Sequence, residues 1–178
     1  MNLFIAPHED DEALFGAYTL MREKPLVLLV TDSFIQAQRG DGITAEQRRN
    51  ETIAAMKILG CSVLFGGIPD TQVNEENLFH LFSLFHNFDE VYIPAIIENG
   101  NPHHNLIGYV GAQIWPNAIR YMSYSRTNLL KMGKTEIEPT LEEIDLKNKA
   151  LDCYVSQINL GSTRPHFDAV RGRSEWYE

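Results

Sequence analysis

Cys61 and Cys153 are the only cysteines in 178 residues, too few and too far apart for a disulfide framework or a thiolate metal site. They read as reduced thiols, which fits a cytoplasmic protein. No apolar stretch approaches the roughly 20 residues that a membrane span needs. The opening apolar run stops at Ala6, before the acidic Glu9, so no signal peptide is expected and no membrane partner either. Basic residues are in deficit. Fifteen Lys and Arg face 24 Asp and Glu, for a formal net charge of −9, and no basic excess remains to displace counterions from a phosphate backbone. Nucleic acid is therefore not an expected partner, whereas a small neutral or cationic substrate suits the charge. The first apolar run is not followed by a Gly-x-Gly-x-x-Gly fingerprint, and the acids that stand there would repel a pyrophosphate. Repeats, low-complexity stretches and linkers are also missing, so residues 1–178 read as a single domain.

What the chain does contain is an alternation. Apolar runs at Leu3–Ala6, Leu26–Val30, Ser62–Phe65 and Val91–Pro94 are separated by helical spacing over 11–23, 44–59 and 75–87. Near-continuous apolar strands between helices predict a Rossmann-like three-layer α/β/α fold with a mostly parallel sheet, in the order 3-2-1-4-5. Gly60 is placed to close the second helix as a left-handed cap, and Asn74-Glu75-Glu76 to open the third with charge that favours the helix dipole. Beyond Tyr109 the pattern predicts a strand over 119–124 and an extended segment over 134–138. A helix follows from Thr140, with Glu143 as its capping-box partner, to about Tyr154, and the tail from Ile158 reads as irregular.

In this strand order the first and fourth strands are neighbours, and the crevice at their carboxyl ends is where α/β proteins bind ligands. Two polar clusters fall there. Pro7-His8-Glu9-Asp10-Asp11-Glu12 follows the first strand, and Glu98 to Asn105, including Asn101, His103 and His104, follows the fourth. His8 and Asp11 stand three apart across a strand-to-helix junction, so Asp11 can fold back beside the His8 ring, and a second imidazole from His103 or His104 completes three ligands. Two histidines and a carboxylate with an open fourth position form the ligand set of a catalytic zinc. Asp10, between the ligands but facing another way, is free to act as general base on a water that the metal activates. Either cluster alone reads more simply, as a hydrogen-bonded loop histidine or as acids at a helix start; their convergence on adjacent strand ends favours a metal. His80 and His86 read as packing or surface residues among Phe79, Phe82 and Phe85, and His166 receives no role.

The hexapeptide Pro7–Glu12, followed by Gly16, resembles the Pro-His-Pro-Asp-Asp-Glu signature of the PIG-L/LmbE-type deacetylases, metal-dependent enzymes acting on N-acetylglucosaminyl and related amides. Further features are similar to that family: Arg48-x-x-Glu51-x-x-x-Ala55-x-x-x-Leu59-Gly60, the loop Gly67-Ile68-Pro69-Asp70, a His-x-x-His-like element closed by His104, and Lys149-Ala150-Leu151 with Tyr154-x-Ser156-Gln157. The resemblance implies that His8, Asp11 and His104 ligate a metal, zinc or another divalent ion, and that Asp10 is the general base. It also implies that Arg48 and Asp70 contact an N-acetylated sugar substrate. Read from the residues alone, Arg48 and Glu51 make an equally good helix-surface pair and Asp70 a turn residue. Tyr154, Ser156 and Gln157 fit either a site or helix packing.

Two departures from that pattern bear on mechanism. Where the family reads His-x-Asp-His, this chain has Asn101-Pro102-His103-His104; Asn101 can hydrogen-bond an oxyanion but cannot act as general acid. The catalytic proton donor then becomes His103, or Asp10 serving alone. The other departure replaces Pro with Glu9, expected to point outward. The implied activity is removal of an acetyl group from a sugar or sugar conjugate, with ligand binding without catalysis as the alternative. The chain is short for this family, which suggests an open site or one completed by a neighbouring subunit in a homo-oligomer.

Overall fold

A computed structural model describes residues 1–32 and 42–178. Its strands are β1 (Leu3–Ala6), β2 (Leu26–Asp32), β3 (Ser62–Pro69), β4 (Val91–Pro94), β5 (Ile119–Tyr121), β6 (Thr135–Ile137) and β7 (Glu175–Tyr177). The helices are α1 (Asp11–Phe15), α2 (Ala17–Glu23), α3 (Ala45–Leu59), α4 (Glu75–Phe82), α5 (Pro102–Ile114), α6 (Leu141–Leu151), α7 (Val155–Ile158) and α8 (Arg164–Val170), with a 3-10 turn over Asp70–Gln72. All strands join one sheet in the order β3-β2-β1-β4-β5-β7-β6. The first five run parallel, as the alternation predicts, and β7 and β6 add an antiparallel edge.

Strand periodicity explains the layers. Along β1, Phe4 and Ala6 face one core with Ala55, Met56 and Leu59 of α3, while Leu3 and Ile5 face the other with Leu78 and Phe82 of α4 and Ile107 and Val110 of α5. Both faces are covered, so β1, β2 and β4 read as unbroken apolar runs rather than alternating ones. Gly60 caps α3 with φ 75°, and Thr140 and Glu143 make the full capping box at α6. Gly108 lets α5 lie against β4: a Cβ there would stand 2.2 Å from the Pro94 carbonyl oxygen. That close approach fixes the first turn of α5, where His103 and His104 sit.

Several elements differ from the sequence pattern. The helix expected over 11–23 is broken at Gly16, whose φ of −131° and ψ of 4° leave the helical region, and the Phe4 ring occupies the space that a side chain there would need. The third helix stops at Phe82 rather than at 87, and β5 is only three residues long. The tail from Ile158 is ordered into α8 and β7, whose short runs carry too little periodicity to read without their sheet partners. No helix among the described residues is long and apolar enough to cross a membrane.

Candidate metal centre

β1 and β4 lie side by side, and the chain leaves them for opposite ends of the sheet, which makes their carboxyl ends the switch point. The loop after β1 is pinned at its start, where the Thr31 amide and hydroxyl both donate to the Pro7 carbonyl, at 3.0 and 2.8 Å. His8 follows, and Asp11 opens α1. The Asp11 Oδ2 atom accepts from the His8 backbone amide at 2.9 Å and lies 3.0 Å from His8 Nδ1. From α5, the buried His104 brings Nε2 to 3.0 Å from the same oxygen and 3.3 Å from His8 Nδ1. Its other nitrogen, Nδ1, is 3.2 Å from the Ser123 hydroxyl just beyond β5, the kind of outer partner that orients a metal-ligating imidazole.

This triangle tests whether a cation fits. Atoms bonded to a tetrahedral zinc at about 2.0–2.1 Å stand about 3.3 Å apart, and the three donor atoms here are separated by 3.0, 3.0 and 3.3 Å. Both rings can donate to the Asp11 oxygen when each carries a proton on the nitrogen that faces it, and with those protons gone one cation can take up all three atoms together. The donor set fits zinc or a similar divalent ion. Charge agrees: burial lowers the His8 pKa, but Asp11, Asp70 and Asp10 outweigh it and push it up to about 9. Burial acts to raise Asp11, yet His104 and His8 hold its carboxyl far below the usual range. The field that keeps a proton on His8 would equally hold a metal ion.

Asp10 lies between His8 and Asp11 in the chain with φ 143°, a left-handed conformation that costs a non-glycine residue roughly 1–3 kcal/mol and clusters at functional sites. Its neighbours come from α3 and α1. Arg48 is 1% exposed, donates to the Glu9 carbonyl, and brings Nη2 to 3.2 Å from Asp10 Oδ2. Its Nη1 lies 3.6 Å from Glu51, so the Arg48–Glu51 pair exists but is buried beneath the loop rather than on a helix surface. Glu51 in turn accepts from the Ser156 amide and hydroxyl, at 2.8 and 2.6 Å. Burial drives the Asp10 carboxyl well above its ordinary pKa, with Arg48 pulling it back down. Glu12 accepts from the Asp10 amide at 3.1 Å and from the Tyr154 hydroxyl, and burial pushes it to about 7. Glu9, expected to point outward, is fully buried, and its carbonyl accepts from the buried Arg48.

The second cluster divides its tasks. Asn101 is the N-cap of α5: its Oδ1 accepts from the His103 amide and its Nδ2 donates to the Tyr124 hydroxyl, each at 2.9 Å. His103 turns Nδ1 to 3.1 Å from His8 Nε2. Asp70, the first residue of the 3-10 turn after β3, offers a ligand atom within 4.8 Å of both rings. Gln157 is buried in α7 behind Ser156, while His80 and His86 are exposed and remote from the sheet edge. Sequence reasoning missed Ser123, Tyr124 and His166. Tyr124 stacks edge-on against His104 at 5.3 Å, and the His166 ring lies 4.4 Å from Tyr124 with a buried Nδ1 that has no hydrogen-bond partner. Ser123 and Tyr124 lay inside the strand expected over 119–124 and reach the carboxyl edge because β5 ends at Tyr121; His166 reaches the site only through the docking of α8.

Fold and cluster together define a three-layer α/β protein whose switch point carries two imidazoles and a carboxylate suited to a divalent cation. Residues 3–115 match the PIG-L family, described as GlcNAc-PI de-N-acetylase, and the chain belongs to that family. Solved structures with the same fold include the A40926 pseudoaglycone deacetylase Dbv21, with TM-score 0.74 and 18% identity over 98% of this chain and 94% of that one. The zinc inhibited form of teicoplanin deacetylase Orf2 gives 0.70 and 18%, covering 99% and 97%. GalB, the 4-carboxy-2-hydroxymuconate hydratase from Pseudomonas putida KT2440, gives 0.71 and 16%, covering 99% and 94%. Comparison with curated proteins yields no match.

Proposed function

We propose that this chain is a metal-dependent N-deacetylase that removes acetate from an N-acetylated sugar or sugar conjugate. The observation that carries this reading is the triangle of His8 Nδ1, Asp11 Oδ2 and His104 Nε2, spaced 3.0 to 3.3 Å apart beside Asp10. Membership of the PIG-L family supports the reaction class, and the neighbours named as A40926 pseudoaglycone deacetylase and teicoplanin deacetylase support a conjugate as the substrate class. His8, Asp11 and His104 would hold a divalent ion, which when bound would supply Lewis acidity toward the acetyl carbonyl and the attacking water.

The chain's own residues manage the proton. Asp10, raised by burial, takes a proton from the attacking water as the new C–O bond forms. It returns that proton to the nitrogen as the C–N bond breaks, so amine and acetate leave. Arg48 holds Asp10 in place and Glu12 holds its backbone, while Asp70 accepts a sugar hydroxyl. Asn101, engaged at both ends of its amide, keeps Tyr124 and His103 in register beside the reacting carbonyl. The test is acetate release by the zinc-loaded protein across N-acetylated sugars, nucleotide sugars and thiol-sugar conjugates. Asp10→Asn should lower release by about 10²–10⁴-fold with fold and metal content retained. Full activity in that variant, or purified protein without a stoichiometric divalent ion, overturns the reading.

A second reading rests on Asn101, which stands where the family pattern has a histidine and has no proton to give. The protein would then bind an acetylated sugar without turning it over. Saturable binding by calorimetry with no acetate released from any bound member of the panel favours this alternative.

A further inference from the structure

The Asn101 side chain is held inside the fold at both ends: Oδ1 accepts from the His103 amide, and Nδ2 donates to the Tyr124 hydroxyl. Next to Tyr124 stands another polar ring, brought there by α8. The half-buried His166 ring lies 4.4 Å from the Tyr124 ring, which itself packs edge-on against His104 at 5.3 Å. Burial lowers the His166 pKa, and Asp11 and His104 are near enough to act on it as well, the first raising it and the second lowering it. The ring is therefore neutral at pH 7, with one nitrogen that donates and one that accepts. Its Nδ1 atom is buried without a hydrogen-bond partner, a condition that folded proteins seldom leave without purpose. Helix packing does not ask for an imidazole here, since Phe167 and Val170 supply the buried face of α8.

We propose that His166 is a catalytic residue that donates from Nδ1 to the carbonyl oxygen of the substrate's acetyl group, supplying from α8 a donor that Asn101, committed to His103 and Tyr124, does not. Negative charge gathers on that oxygen when water adds to the carbonyl, and it returns to the C=O bond when the C–N bond breaks. A fixed neutral N–H facing the oxygen stabilises that transition state more than the ground state. His166 keeps its proton throughout, so the proton handling assigned to Asp10 is unchanged. The inference rests on the proposed function, because it concerns the same acetyl group.

The test compares the zinc-loaded full chain with His166→Phe, which keeps a flat ring against Tyr124 but has no N–H, and His166→Gln, which keeps one. At saturating substrate, acetate release should fall by about 10²-fold in His166→Phe with KM changed by less than about threefold, and His166→Gln should recover about tenfold of that loss. A role in packing alone would leave His166→Phe active and make His166→Gln the weaker variant. Acetate probes the same contact without turnover. The ring nitrogen signals of His166 in NMR spectra, assigned by their absence from His166→Phe, should move as acetate is added, and acetate should bind His166→Phe about fivefold more weakly. Full release by folded, zinc-bound His166→Phe, or His166 signals that acetate leaves in place, overturns the inference and leaves the proposed function standing. Wild-type protein that releases no acetate from any N-acetylated compound of the panel removes the deacetylase reading instead; His166 signals that move with acetate then still support a donor to the acyl oxygen, and unmoved signals overturn it.

Discussion

Arg48 is a cation sealed under the loop that carries Asp10, and its charge is felt in two ways. It neutralises a cluster in which Asp10 and Glu51 are both largely buried, and it opposes the burial that raises Asp10. Arg48→Met leaves those carboxylates without their partner and should cost roughly 3–5 kcal/mol in urea unfolding, the range for breaking a buried pair. In whatever folded fraction remains, Asp10 holds its proton to higher pH, so the rise of acetate release with pH shifts upward, and Arg48→Lys shifts it part of the way back. A folded Arg48→Met protein with an unmoved profile would show that Arg48 does not act through Asp10. The proposed ligands His8 and Asp11 stand out because they follow a strand end, whereas the residues alone left His103 or His104 as the third and only the family resemblance pointed to His104. Arg48's burial was not legible, since an (i, i+3) Arg–Glu pair looks the same on an exposed helix as on a buried one.

Among the elements, α2 and α6 are joined by a contact whose pH dependence can be stated. Arg22, near the end of α2, grips Glu143 with Nε and Nη2 at 2.7 and 2.8 Å and also donates to the Glu138 carbonyl. Glu143 is at the same time the capping-box acid of α6, receiving the Thr140 amide at 2.8 Å. The Arg22 hydrogen bond, with the cap assisting, lowers its pKa from 4.5 to about 2. A depressed carboxyl contributes stability that is complete above the unfolded value and lost as pH falls through the folded one. Stability should therefore decline from about pH 4.5 toward pH 2, and Glu143→Gln should flatten that stretch of a stability–pH curve. At neutral pH the same variant should lose about 0.5–1 kcal/mol, because the pair is partly solvated; an unchanged acid limb would refute the assignment. The cap was legible from Thr140 and Glu143 three apart, whereas Arg22 lies 121 positions from its partner and no local pattern announces the pairing.

At the scale of the whole molecule, one buried ion pair ties together parts of the chain that are far apart in sequence. Lys147 of α6 meets Glu175 of β7 at 2.9 Å, both fully buried, while Glu175 also accepts the Tyr18 and Thr19 amides near the start of α2. Lys147→Ala strands a carboxylate in the core and should cost about 3–5 kcal/mol in thermal or chemical unfolding, and a loss below 1 kcal/mol would show the pair to be dispensable. The parallel half of the sheet was readable because its strands are continuous apolar runs. β6 was readable as the extended segment over 134–138, but β7 was not, because Glu175 is a charged residue in a core position and becomes intelligible only once Lys147 is seen beside it. The strand order has a further consequence. β7 lies between β5 and β6, and β6 pairs with β7 alone among the described residues. As the chain leaves the ribosome, β6 emerges with no strand to pair with and must wait until Glu175–Tyr177 arrives to slot between it and β5. The sheet edge and the Lys147 ion pair are thus completed by the same three residues, so that a chain without Glu175–Tyr177 would leave both β6 and Lys147 without their partners.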